Sequence, residues 1–441
     1  MDNDLGQMLE VTKKLLENKL KTIKAISKDA EVIAVPLNQN EIDNLKIKLG
    51  ECYEKMIEVY TKYLDWDIDE IKLQVIWNIG TYCYTSFNTY PYRFITALKG
   101  SGKTRLLELT ESLVYNGKLV AGMSDSALFR MASDHTLLFD EAEQIARKEK
   151  QSQREILNSG YKKSGKIIKV KEKMTKDGKI YENEEFCTYG PKMLANIYGM
   201  EEVLGDRCIP SIMERSNNPL NTKLIQDFDN NLPILHIKNT LNELQCILCS
   251  VVTQKNMLGD WNNFIIQKYT NLTNIITTST SLTTLLSIPD DLISFFNKID
   301  NSGLTGRAFE LYNPLFIIAR ILGDEVLEDI IKIAKKKTTI KKEDDYIENR
   351  DIALIDFISQ MNYMSNFVNM TELTNQFKHF YQADEEGYTW LNSKWLGRAL
   401  NRLQLIKMKR RVNTGVEIIP DILKAKNKLG MFKTENNDDR K

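Results

Sequence analysis

The chain has 441 residues, more than one ordinary core needs, which implies two or three domains. Hydrophobic residues make up 42%, which excludes wholesale disorder, and 60 Lys+Arg against 60 Asp+Glu exclude a generic polyanion binder, so any nucleic-acid surface must come from local clustering. The start is acidic and polar, unlike a signal peptide, and no run approaches the ~18 apolar residues of a membrane span, so a cytoplasmic protein with no membrane partner is expected.

Residues 1–75 read as a helical N-terminal region. Leu5, Met8, Leu9, Val11, Leu15 and Leu16 recur at helical spacing, and a break follows at Val35-Pro36-Leu37-Asn38. Further helices are expected over Glu41–Leu64 and Ile71–Ser86. Residues 76–218 read as an α/β core, in which the texture changes from Tyr92 to strands alternating with helices, the pattern of a mostly parallel sheet. Strands are expected at Tyr92–Leu98, Lys118–Ala121, Thr136–Phe139 and Lys192–Ile197. Helices are expected from Thr104, at Asp125–Ala132 and at Arg154–Ser159. Residues 219–335 read as a helical lid, with a loop or weak helix at Thr277–Thr284. The charged stretch 336–349 reads as a linker. Residues 350–432 read as three helices and a strand pair around Asn413-Thr414-Gly415, an order that fits a winged helix, with a polar tail at 433–441. Cys246 and Cys249 form one CxxC without a second ligand pair, so two apolar helix positions are the simpler reading, and free thiols fit a reducing compartment.

The strand, the turn Lys99-Gly100-Ser101-Gly102-Lys103-Thr104 and the helix after it have the layout of a P-loop. Backbone N–H groups of a Gly-rich turn and a helix N-terminus face phosphate. Lys103 would reach the β- and γ-phosphates of ATP, and the Thr104 hydroxyl would ligate Mg²⁺. The full pattern asks for Gly where Ala97 stands. A second element, Thr136 to Ala142, is an apolar strand that ends in two acids. Asp140 would hold Mg²⁺ and Glu141 would act as general base on the attacking water. Asn196, at the tip of the next strand, is the candidate to orient that water. Arg207, with Arg215 second, is the candidate arginine finger for a neighbouring copy's γ-phosphate. A finger demands a neighbour, so a homohexamer is expected.

At these residues the chain resembles a mobile-element P-loop ATPase family, known as a domain of unknown function in phage, plasmid and integrated-element primase–helicase replication proteins. The resemblance rests on Lys99–Glu108, Ser124–Arg130, Leu157–Gly165, Gly190-Pro191-Lys192, Gly205-Asp206-Arg207, and Gly306-Arg307 with Asn313-Pro314-Leu315 and Ile318-Ala319, in family order over about residues 75–335. It implies an AAA+-like or superfamily 3-like ring ATPase, α/β in its core, acting on DNA. It also implies that Gly100, Ser101, Gly102, Lys103, Thr104 and Arg105 hold the nucleotide, and that Arg307 is a second sensor reaching the γ-phosphate from the lid. Ala97 and Asn196 depart from the family pattern, and the first 75 residues are too few for a primase module.

Two basic features point to single-stranded or forked DNA. Lys162, Lys163, Lys166, Lys169, Lys171 and Lys173 lie in a segment that alternates apolar and basic residues, with a hairpin turn at Asp177-Gly178. Near the C-terminus Arg398 lies on a helix like a recognition helix, and Lys407, Lys409, Arg410 and Arg411 precede a wing-like turn. The expected function is an ATP-dependent DNA helicase or translocase that serves replication of a mobile element or virus, with a primase or other replication protein as a partner. The alternatives are an ATP-switched initiator or loader with slow hydrolysis, and, more weakly, a small-molecule phosphotransferase.

Overall fold

The computed structural model describes residues 38–430 apart from 98, 143–144, 146–149, 176–177, 197–201, 226, 255–260, 263, 266–267, 269–289, 349, 362–365, 382–390 and 414. The expectations for residues 1–37, for Thr277–Thr284 and for the tail at 433–441 lie outside the described residues. Two compact units divide at Ala334 and Lys335.

In the first unit two helices lead into the sheet. Helix Gln39–Tyr63 starts at a reciprocal capping box, in which Asn38 accepts from the Glu41 N–H and the Glu41 carboxylate accepts from the Asn38 N–H. Helix Ile68–Gly80 is capped by Asp67 and is buried along most of its length, including Gln74 and Asn78. A short 3-10 turn, Tyr84–Ser86, occupies the end of the segment expected as one helix to Ser86.

Five strands follow: β1 (Tyr92–Ala97), β2 (Gly117–Val120), β3 (Thr136–Phe139), β6 (Lys192–Asn196) and β7 (Cys208–Met213). They form one sheet in the order β2-β3-β6-β1-β7, and every pairing is parallel. All five therefore start at one edge and end at the other. Helices Lys103–Leu113, Asp125–Met131 and Gln151–Ser159 connect them. Strand β7 is not among the strands expected from the sequence. It is an edge strand, hydrogen-bonded to β1 alone, so the missing N–H of Pro210 breaks no second ladder.

A separate antiparallel hairpin, β4 (Lys166–Thr175) and β5 (Gly178–Cys187), projects between β3 and β6 in sequence, with Thr175 opposite Gly178. Its root is fixed by Ile167 opposite Phe186, whose ring lies 4.4 Å from that of Phe129.

Helix Leu232–Gln254 packs on helices Gln39–Tyr63 and Lys103–Leu113, and helix Gly306–Leu322 packs on Ile68–Gly80. One apolar core runs from Leu45 to Ala334, so the N-terminal helices, the sheet and the lid segment share it. A chain of buried hydrogen bonds crosses this core. Thr110 meets Tyr60, Asn78 donates to Tyr60, and Gln74 donates to Asn78. Arg93 donates to Gln74 and Ser211, and Ser211 donates to Glu70. Such a network fixes the register of helices on strands, because each buried polar group is costly without its partner.

The stretch expected as a charged linker is helical as far as Glu348, as part of helix Asp324–Glu348, in keeping with the helix propensity of its Lys and Glu residues. The second unit contains helices Arg350–Gln360, Met370–Phe380, Ser393–Arg402 and Ile422–Gly430. Its antiparallel sheet of β8 (Val368–Asn369), β10 (Gly415–Pro420) and β9 (Ile406–Val412) has β10 in the centre. Its own core includes Leu354, Phe377, Leu396, Leu400 and Ile418.

Candidate active site

The turn after β1 is shaped by two glycines in left-handed backbone, Gly100 at φ 82° and Gly102 at φ 91°. Gly102 caps helix Lys103–Leu113, so the turn feeds directly into a helix N-terminus. Ala97, where the motif asks for glycine, is the last residue of β1, paired with Met213. Strand backbone makes no demand there that alanine fails to meet. Ser101 is buried, and its Oγ has no hydrogen-bond partner among the described residues.

Across the sheet, β3 delivers Asp140 to the same edge. Lys103 Nζ lies 2.7 Å from Asp140 Oδ1, and Thr104 Oγ1 lies 3.4 Å from Asp140 Oδ2. The Asp140 N–H donates to Val120 O, which continues the β2–β3 ladder past the end of β3. Glu141 stands in left-handed backbone at φ 57°, with its N–H donating to Asp140 Oδ1 at 2.9 Å. A non-glycine residue held there stores roughly 1–3 kcal/mol of strain, a feature that clusters at functional sites. Between the two motifs lies β6. It ends at Asn196, which is buried and opposite Thr96, two residues past the Leu194 that faces Phe139.

These residues fit the triphosphate of a nucleotide with Mg²⁺. The orphaned Ser101 hydroxyl and the open glycine turn suit phosphate oxygens. A hydroxyl and a carboxylate stand together where the phosphates would supply the remaining oxygens. Among the described residues no group of three or more His, Cys, Asp or Glu could hold a metal by itself.

Arg105 is turned away from this turn. It donates to the carbonyls of Tyr63, Asn221 and Leu224, and so ties the end of one helix to the segment after β7. Arg215, expected as the lesser candidate for a neighbour's phosphate, lies beside the Lys99–Thr104 turn of its own chain instead, with Nε donating to Lys99 O at 2.7 Å. Spacing alone could not show this. It follows from β7 running parallel and adjacent to β1.

Arg207 immediately precedes β7 and so stands at the edge where strands start. Its Nε donates to Asn158 O at 2.8 Å, it also donates to Val203 O, and its guanidinium lies 5.3 Å from the Tyr161 ring centre. Arg307 is at that same edge, not at the P-loop of its own chain. It donates to Asp206 Oδ2 at 3.0 Å and to the Tyr161 hydroxyl at 2.7 Å, pairs with Glu310, and lies 4.9 Å from the Tyr161 ring centre. Lys162 joins the group, 2.8 Å from Glu310 Oε1 and 5.5 Å from the same ring centre. Burial alone would raise the Glu310 carboxyl, but the hydrogen bond from Lys162 and the charge of Arg307 outweigh it and hold the group below the ordinary carboxylate range.

The hairpin is less basic than its first strand. Residues 166–187 carry six lysines against five acids. Lys166 pairs with Glu185 at 2.9 Å, Lys171 with Glu184 at 3.9 Å, and Lys179 with Glu172 at 2.6 Å. Lys169 lies 5.8 Å from the Phe129 ring centre, and Lys163 donates to Thr85 O at the hairpin base. The side chain of Lys173 lies outside the described residues. In the second unit Arg398, Lys407, Lys409 and Arg411 are exposed. Arg410 is tied to Glu417 and stacks 4.0 Å from the Phe367 ring centre.

No helix among the described residues is long and apolar enough to cross a membrane. No family model matches the chain, and no curated protein matches it. Among solved structures, the chain is similar to the C-terminal region of NrS-1 in its A form, at 11% identity and a TM-score of 0.29, over 88% of this chain and 77% of that one. It is also similar to JCV helicase crystallised with a thiazolopyridine acetamide, at 12% identity and a TM-score of 0.25, over 68% of this chain and 80% of that one. TM-scores this far below 0.5 leave both likenesses without bearing on the fold or activity of this chain.

Proposed function

We propose that the chain is an ATPase that drives movement along DNA, acting as a ring of identical copies. The observation that supports it best is the meeting of Lys103, Thr104 and Asp140 at the strand-end edge, beside the strained Glu141. In this reading Lys103 exchanges Asp140 for the β- and γ-phosphates. The Thr104 hydroxyl and Asp140 hold Mg²⁺, which when bound neutralises charge on the phosphates. Glu141 takes a proton from the attacking water, Asn196 orients that water, and Arg215 steadies the turn through Lys99 O. Arg207 faces away from its own nucleotide and would serve the next copy's. Arg105 holds the helix behind the turn in place and makes no contact with nucleotide.

DNA as the substrate rests on the exposed basic residues of β9 and helix Ser393–Arg402, in a winged-helix-like unit, and on the hairpin. There the exposed cross-strand ion pairs are weak enough to exchange for phosphates. A primase or another replication protein fits as a partner of such a motor. The near-neutral hairpin gives the second reading its weight: an initiator or loader that ATP switches between assemblies, with little translocation of its own.

Steady-state ATP hydrolysis by the wild type and by Glu141→Gln, with and without single-stranded DNA, tests this. The expected outcome is DNA-stimulated hydrolysis that falls at least ~100-fold in Glu141→Gln with nucleotide binding kept. Hydrolysis indifferent to DNA favours the switch, and no nucleotide binding overturns the ATPase.

A further inference from the structure

Three cations from three distant segments converge on one aromatic ring. Lys162 follows Tyr161 directly, Arg207 immediately precedes β7, and Arg307 is in the first turn of helix Gly306–Leu322, yet all three lie within 4.9 to 5.5 Å of the Tyr161 ring centre. The ring is fixed by backbone pairing: the Tyr90 N–H donates to Tyr161 O, and the Lys163 N–H donates to Asn88 O, just ahead of β1. Asp206 pairs with Arg307, and Glu310 pairs with both Arg307 and Lys162.

The group sits at the edge where β1, β6 and β7 start. The P-loop, Asp140 and Glu141 sit where strands end. Six residues of β7 separate the two edges by roughly 20 Å at ~3.3 Å per residue, beyond the reach of an arginine side chain. Helix Gly306–Leu322 packs on Ile68–Gly80, which keeps Arg307 on its own side.

We propose that Arg307 acts, together with Arg207, on the γ-phosphate of a nucleotide bound to a second copy of this chain. This rests on the ATPase reading above and replaces the role of a lid sensor within one chain. Asp206 and Glu310 hold the guanidiniums in position until the phosphate, a more highly charged acceptor with matching geometry, competes for them. A head-to-tail contact that brings one copy's strand-start edge to the next copy's strand-end edge closes into a ring. Planar, bidentate recognition of phosphate suits arginine at this position better than lysine.

The experiment mixes full-length chains. Lys103→Ala copies keep Arg307 but cannot use ATP, and Arg307→Ala copies keep a complete P-loop. Each alone is expected to lose at least ~100-fold in hydrolysis. Mixed in equal amounts they should regain up to about a quarter of the wild-type rate per chain, because random head-to-tail pairing places an intact Arg307 before an intact P-loop at one contact in four. Binding of a fluorescent ATP analogue to Arg307→Ala should stay within about twofold of wild type. Arg307→Lys, which keeps the ion pairs, should be inactive alone and restored in the mixture. No restoration while the wild type is active, a tenfold weaker binding in Arg307→Ala, or full activity of Arg307→Lys alone would each overturn the role of Arg307. A wild type that hydrolyses no ATP overturns the ATPase reading itself.

Discussion

At the strand-end edge of the parallel sheet, the committed side chains come from two short segments, Lys99–Thr104 and Asp140-Glu141, placed by unusual local backbone: two left-handed glycines and a left-handed glutamate. At the strand-start edge, Lys162, Arg207 and Arg307 come from segments far apart in the chain, and packing brings them to one ring, with a single left-handed glycine, Gly306, beside Arg307. A site of the first kind depends on conformation that the local sequence sets. A site of the second kind depends on the core behind it. The two should therefore fail differently when the protein is perturbed.

The largest expected effect separates the core from both edges. Arg93 is fully buried and joins Gln74, Ser211 and Glu70. Arg93→Met should lower unfolding free energy by roughly 3–5 kcal/mol, since it removes the cation that faces the Glu70 carboxylate and the donor to Gln74 Oε1. Urea denaturation checks this. A loss under about 1 kcal/mol would mean that the network does not bind the helices to the sheet.

Next comes a difference in pH response at the strand-start edge. Lys192 opens β6, fully buried, with Nζ donating to Thr188 O and Gly190 O at 3.0 Å and lying 5.1 Å from the Tyr92 ring centre. Burial pushes its ammonium down to about 7, although those carbonyls and the ring favour the charged form. Unfolding returns it to about 10.4, so above pH 7 the unfolded chain binds the extra proton and stability rises with pH. Below pH 7 both states are protonated and this slope disappears. The stability difference between wild type and Lys192→Met should shift in favour of the wild type by up to ~1.4 kcal/mol per pH unit between pH 7 and 9. A pH-independent difference would show that the burial of Lys192 carries no protonation cost.

The smallest effect tests stored strain at the strand-end edge. Glu141→Gly should raise stability by about 1 kcal/mol while abolishing hydrolysis, because glycine takes positive φ without cost. Thermal melting alongside the ATPase assay checks both halves. A destabilised Glu141→Gly would mean that the glutamate side chain contributes more than its backbone costs.

The strand-end edge was legible because its motif is contiguous and its flanks have simple periodicity: the expected strand Thr136–Phe139 coincides with β3, and the hairpin follows its alternation and the turn at Gly178. The strand-start edge was not legible. The expected strands did not include β7, which sets Arg207 at one end and Arg215 at the other, and the meeting of Arg307 with Tyr161 across the chain shows only in the fold. The hairpin lysines looked free because β4 was read without the glutamates that β5 sets opposite them. How the N-terminal helices join the sheet was not legible, because sequence does not show Thr110, Tyr60, Asn78 and Gln74 meeting in one buried chain.

Strand β7 begins one residue after Arg207 and ends two residues before Arg215. It is bonded to β1 along its whole length and pinned by Ser211 to Arg93 and Glu70 and by Ile212 O to the Trp66 indole. Mechanically it is a strut, stiff along its axis, with one end tied through Arg215 to the Lys99–Thr104 turn and the other beside Arg207. In the ring proposed above, a displacement at one end of this strand would be felt at the other. The firing order of neighbouring copies would then be set by rigid linkage and would require no separate messenger.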